Sequence, residues 1–180
     1  LPTIRSRAIP FYFAPLSNEE MEKFLAAFTE LNKDERQSLI RLAQGSPGRA
    51  ITLNVDQYLE RRDSMLALFR TSLGEGSFAE LLPYTETVAR KSDERLDVLL
   101  ESFQSLLQDL LHLRFGSGRS LVNTDIADEL ESLARRATFE WIEKAAAKLD
   151  ELELLRRRNI QKQIALEAMG IGLRRVAKRE

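Results

Sequence analysis

Few side chains in this sequence are of the kinds that do covalent or metal chemistry. There is no cysteine and a single histidine, His112. That excludes a disulfide scaffold, a thiolate zinc site, a cysteine nucleophile, a histidine-cluster metal site and a conventional Ser-His-Asp triad. What remains is phosphate and charge. Gly45-Ser46-Pro47-Gly48-Arg49-Ala50 sets two glycines around a helix start, where backbone N–H groups can meet a phosphate. Taken alone, the same residues read better as a turn that stops one helix and starts the next. No G-x-x-x-x-G-K-[ST] loop occurs anywhere in the chain. Arg156-Arg157-Arg158 and the group Arg174, Arg175, Lys178 and Arg179 have the form of a nucleic-acid footprint. The simpler reading is cations placed near helix C-termini, where the macrodipole favours them. His112 reads as a surface or satisfied interior residue, and Trp141 with Ala145, Leu149 and Leu152 as core. No catalytic constellation and no metal site emerge.

The elements that must carry these residues are helical. The 180 residues are 43% hydrophobic and 31% charged, with only 8 glycines and 5 prolines. Leu, Ala, Glu, Arg and Lys dominate, all good helix formers, so the composition is that of an all-α protein. A chain of this length buries roughly two thirds of its unfolded surface and needs no covalent staple. The net charge is −1, which gives no global basic field for nucleic acid. It is unevenly spread: residues 156–180 carry +6 and residues 1–15 carry +2, leaving −9 for the middle. No apolar run approaches the ~18 residues of a membrane span. Arg5 and Arg7 ahead of Ile9-Pro10-Phe11-Tyr12-Phe13-Ala14-Pro15-Leu16 superficially resemble a signal peptide, but two prolines and three aromatics make a poor apolar core for one. The chain reads as a soluble piece of a longer protein.

Residues 8–16, apolar, aromatic and bounded by prolines, are the one strand candidate, and such a strand belongs to a sheet whose other strands lie elsewhere. From Ser17 onward the pattern is helical. Ser17-Asn18-Glu19-Glu20 is a capping box, followed by Met21, Phe24, Leu25, Phe28 and Leu31 at helical spacing. A second helix starts near Asp34 and stops at Gly45, and Ser46-Pro47 opens a third. A longer helix is expected over about 55–73, then one from Ser77 to Arg90 kinked or divided at Pro83. Ser92 opens a long helix to Phe115, whose stripe of Leu96, Leu99, Leu100, Phe103, Leu106, Leu107, Leu110 and Leu111 is wide enough for burial on two sides. Gly116-Ser117-Gly118 breaks it. Three more helices are predicted over about 125–136, 138–157 and 160–177. Gly170 and Gly172 inside the last cost about 1 kcal/mol each relative to Ala. A neighbouring subunit's helix passing close by would explain them; so would a marginal final helix.

Two segments carry a family resemblance. Leu1-Pro2-Thr3-Ile4-Arg5-Ser6-Arg7, the aromatic strand and Pro15-Leu16-Ser17 resemble the region after sensor 1 in bacterial clamp-loader AAA+ subunits. The family has Ser-Arg-Cys where this chain has Ser6-Arg7-Ala8; Arg7 is kept and the cysteine is not. Leu42-Ala43-Gln44-Gly45-Ser46-Pro47-Gly48-Arg49-Ala50 resembles the lid-domain sensor 2 segment. Motor subunits have Gly-Ser-x-Arg there, and Gly48 stands at the arginine's place, as in delta-prime subunits of DNA polymerase III. Val122-Asn123-Thr124-Asp125, and Leu155 to Leu173 around Asn159, are similar to the collar of those subunits.

The resemblance implies residues 1–16 as the end of an AAA+ core, 17–55 as a three-helix lid and 56–180 as a helical collar that oligomerises. It implies a cytoplasmic, non-hydrolysing stator within the DNA-directed DNA polymerase (nucleotidyltransferase) holoenzyme, helping to load the sliding clamp on primed DNA during replication. Partners would be the motor and delta subunits, with clamp and DNA met indirectly, ATP bound only by a neighbour, and neither cofactor nor membrane involved. Arg7 would be an arginine finger offered in trans, a planar permanent charge stabilising phosphate in the transition state. The alternatives are a motor-type subunit of the same machine, disfavoured by Gly48, and a free-standing helical interaction or DNA-binding module.

Overall fold

The computed structural model describes residues 7–28, 30–90, 95–116, 121–155 and 160–178. Its contacts divide the chain into two compact units, Leu1–Leu53 and Asn54–Glu180. The described residues form α-helices and short 3-10 turns and no strand, an all-α fold.

The first unit holds α1 (Asn18–Phe28), α2 (Lys33–Ala43) and α3 (Pro47–Thr52), packed pairwise on one another. The capping box at α1 forms as its spacing demands. Glu20 Oε2 accepts the Ser17 backbone N–H at 2.8 Å, and Ser17 Oγ accepts the Glu20 N–H at 3.3 Å. These bonds to Ser17 hold the exposed Glu20 carboxyl below its ordinary range. A second capping box, Asn32 with Glu35, starts α2. Met21, Leu25, Leu39, Ile40, Leu42, Ala43 and Ala50 form the small core. α2 ends with Gln44 already left-handed (φ 50°), followed by Gly45 (φ 77°).

The strand expected over residues 8–16 is not formed. A strand is defined by the ladder of a neighbour, and among the described residues there is no second strand to supply one. Ile9, Phe11, Tyr12 and Phe13 are instead exposed, at 82–94%. The segment meets the helices through Leu16, whose N–H donates to Gly45 O at 2.8 Å. Gly45 is required there: a Cβ would fall 2.5 Å from Leu16 O and 2.7 Å from Pro15 Cβ, at a φ that L side chains rarely adopt.

The second unit contains α4 (Val55–Ser72), α5 (Leu82–Arg90), α6 (Leu96–Phe115), α7 (Ala127–Arg136), α8 (Phe139–Leu155) and α9 (Lys162–Ala177). Asn54 caps α4 through the Gln57 N–H at 3.0 Å. Pro83 divides the expected 77–90 helix: a 3-10 turn, Phe78–Glu80, precedes α5, and the proline sits in the first turn of α5, where no intrahelical donor is lost. The start expected at Ser92 lies outside the described residues; α6 runs from Leu96 and ends at Gly116 (φ 66°). A short 3-10 turn, Thr124–Ile126, leads into α7.

α4 and α6 are the axis of this unit. α6 packs on α4, α7 and α8, which accounts for its wide stripe, while α9 packs on α4, α5 and α8. Between residues 64 and 72, α4 is buried on nearly all sides. Its hydroxyls there bond back to carbonyls of its own turns, as Thr71 Oγ1 does to Ala67 O at 2.9 Å. Phe69 lies 4.5 Å from Phe103 and 5.4 Å from Trp141, ring centre to ring centre, the second pair edge-on.

Candidate functional site

Arg7, the proposed finger, stands exposed in a turn at the start of the described chain. The Gly45–Ala50 segment behaves as a stop and restart. Ser46 Oγ accepts the Arg49 N–H at 3.3 Å, Pro47 opens the helix, and α3 is only 6 residues long. Nothing lies within 4 Å of a Cβ at Gly48, so this glycine is not imposed by local packing.

In the second unit the structure sorts the other candidates. Arg156-Arg157-Arg158 and Arg179 lie outside the described residues; Arg175 and Lys178 are exposed. Arg174 is structural: its two terminal nitrogens donate to Thr71 O and Gly76 O, both at 2.8 Å. One planar fork thus closes the C-terminal end of α4 and the turn after it. Trp141 is core, fully buried. His112 is half-buried near the end of α6. Gly170 does have a helix against it, but from the same chain. A Cβ there would lie 2.7 Å from Leu68 Cδ1 of α4 and 3.3 Å from Leu81 Cδ2, whereas Gly172 has open space.

Sequence reasoning missed a buried polar network. Tyr58 and Arg62, one turn apart on α4, and Ser105 and Asp109, one turn apart on α6, face residues 122–125 ahead of α7. Asp109, 0% exposed, accepts the backbone N–H groups of Val122 (2.9 Å) and Asn123 (2.8 Å) and the Asn123 side-chain amide (2.8 Å). The Tyr58 hydroxyl donates to Asn123 Oδ1 at 2.9 Å, and Asn123 Nδ2 also reaches Ser105 Oγ at 3.2 Å. Arg62, 5% exposed, donates to both oxygens of Asp125 at 2.8 and 2.7 Å. Burial pushes the Tyr58 phenol above its ordinary range, against the opposing pull of its hydrogen bond with Ser105 and of the Arg62 charge. The phenol therefore stays a neutral donor. Polar residues at helical spacing look like a solvated face in sequence; only the connector lying on them makes them interior.

The other conspicuous surface is apolar. α8 and α9 leave an open groove of about 350 Å³ whose lining includes Leu152, Leu155, Ile160, Ile164 and Met169. Ile164 and Ile171, one face of α9, are 61% and 40% exposed, and Leu154 on α8 is 80% exposed. Among the described residues no three His, Asp or Glu side chains are grouped to hold a metal ion, and no helix is long and apolar enough to cross a membrane.

The described residues define an all-helical packing module whose last two helices leave apolar side chains exposed. The family model for the C-terminal region of the DNA polymerase III delta subunit matches residues 56–171, and the chain belongs to that family. It is also similar to DNA polymerase III subunit delta′ of Escherichia coli (strain K12), 26% identical over 134 residues. That alignment covers 74% of this chain and 38% of the relative, so the chain spans well under half of the relative's length.

Proposed function

We propose that this chain supplies the lid (17–55) and collar (56–180) of a non-hydrolysing, delta-prime-type stator in a cytoplasmic clamp loader, which helps place the sliding clamp on primed DNA. The observation that carries the reading is the family match over 56–171, which falls in the all-helical second unit with its open apolar groove. The collar joins motor and delta subunits by helix packing, for which exposed apolar residues such as Leu154 and Ile164 are suited. Gly48, at the place of the sensor 2 arginine, favours stator over motor. Residues 1–16 end an AAA+ core, and from there Arg7 is offered in trans to ATP held by a neighbour.

The test pairs calorimetry of the chain with ATP and hydrolysis by a loader assembled around the full-length subunit. The proposal requires no saturable binding by the chain at micromolar ATP, and DNA-stimulated hydrolysis that needs the motors. ATP binding by the chain alone argues for a motor. A loader with undiminished hydrolysis and clamp loading when this subunit is left out overturns the stator role.

A further inference from the structure

Residues 121–126 connect to α7 across the ends of α4 and α6, and what holds them is polar. Of these six, Asn123 alone is buried, while Leu121, Val122 and Ile126 are half-buried and Thr124 and Asp125 exposed. Against that thin apolar contact stand the three N–H bonds into Asp109, the Tyr58 and Ser105 bonds to Asn123, and the Arg62–Asp125 pair. The main core is centred elsewhere, around Phe69, Phe103 and Trp141, and of the connector only the half-buried Ile126, at the α7 end, packs against it. Lifting the connector therefore exposes little apolar surface and leaves the helices packed. It also uncovers a polar floor, Tyr58, Ser105 and Asp109, that water can solvate.

We propose that residues 121–126 form a polar latch that opens as a unit of its own, with the Asp109 carboxylate as its catch. Asp109 is a positioning residue: two consecutive backbone N–H groups converge on its two oxygens, Val122 on Oδ1 and Asn123 on Oδ2. That chelate fixes the path of the backbone, and the Asn123 side chain fixes its depth. A short element held by charge-assisted hydrogen bonds over a small apolar contact belongs to the low-stability end of a fold, where opening is local.

Amide-resolved hydrogen exchange of the whole chain by NMR tests this. The Val122 and Asn123 amides are expected to exchange at least tenfold more slowly than unstructured peptide, yet faster than the Leu106 and Leu107 amides on α6. Their rates should hardly change with sub-denaturing urea, because local opening exposes little surface, while those of α6 climb. Asp125→Asn removes the connector's carboxylate from Arg62, leaving it Asp63 of its own helix at 3.5 Å, and should speed the Val122 and Asn123 amides several-fold without moving α6. Connector amides that share the urea dependence of α6 would overturn the proposal, since the connector would then open only with the whole unit. Connector amides at the unstructured rate in the unmodified chain would overturn it too, because no latch would exist.

Discussion

Gly170→Ala and Gly172→Ala are the same chemical change on the same face-turning helix, and the structure requires different outcomes. Replacing a helical glycine by alanine stabilises by about 1 kcal/mol, through helix propensity and the smaller freedom of the unfolded chain. At 172 nothing lies within 4 Å of the new Cβ, so the full gain is expected. At 170 the Cβ arrives 2.7 Å from Leu68 Cδ1 and 3.3 Å from Leu81 Cδ2. Leu68 is 0% and Leu81 1% exposed, so neither side chain can swing into solvent. Overpacking a core costs about 1–3 kcal/mol, toward the low end where leucine tips can shift within the small void that Leu68 and Leu81 line, and this offsets or exceeds the propensity gain. Gly170→Ala should then be neutral to destabilising by about 2 kcal/mol, and the two variants should differ by about 1–3 kcal/mol. Urea unfolding followed by fluorescence reads this in the correct unit, because Trp141 is the chain's one tryptophan and is buried there. A Gly170→Ala variant as stabilised as Gly172→Ala would refute the close approach of α9 to α4.

Three further outcomes are expected. Arg7→Ala, made in the full-length subunit, should leave assembly and the thermal midpoint unchanged and slow DNA-stimulated hydrolysis by the loader, less than the thousandfold or so seen for a lone finger because the loader has several sites; wild-type hydrolysis would make Arg7 structural. Arg174→Ala takes the guanidinium from the carbonyls of Thr71, which keeps the Gly74 N–H at 3.2 Å, and of the exposed Gly76, and should cost about 1 kcal/mol in the same urea assay, with Arg174→Lys recovering only part because a single ammonium cannot reproduce the fork. The depressed Glu20 pKa means that its capping contribution is present above the ordinary carboxylate range and lost as pH falls through the lowered folded value. Helicity of the wild type should therefore show a small acid-side loss that Glu20→Gln lacks, and identical acid limbs would contradict the capping assignment.

Much of this fold is local chemistry and was readable from residues alone. Ser17 with Glu20, Ser46 with Pro47, and Gly45 and Gly116 at helix ends act within three or four residues of themselves, so spacing is enough. The α6 stripe was likewise plain. The helix expected over about 55–73 forms as α4, and its run Met65-Leu66-Ala67-Leu68-Phe69 has no polar face because a helix at the centre of a bundle is covered nearly all round. The strand at 8–16 failed because pairing is a property of two segments, and its aromatics only record that a partner is wanted. Gly170 stands out in the sequence for its cost, but its neighbour is Leu68 of the same chain, a long-range contact that no local pattern encodes. The Asp109 network was invisible for the same reason, since burial by a connector is decided in three dimensions. Family membership was legible at the level of motifs, whereas Arg7 owes its assignment wholly to the resemblance.

Membership of a loader is tested most directly by native mass spectrometry of this chain mixed with the motor and delta subunits from the same organism. The proposed function predicts a mixed assembly whose mass includes this chain, and loss of that assembly when Leu154 and Ile164 are replaced by aspartate while the circular dichroism stays helical. A chain found only alone or with copies of itself, under conditions where the other subunits assemble, would contradict it.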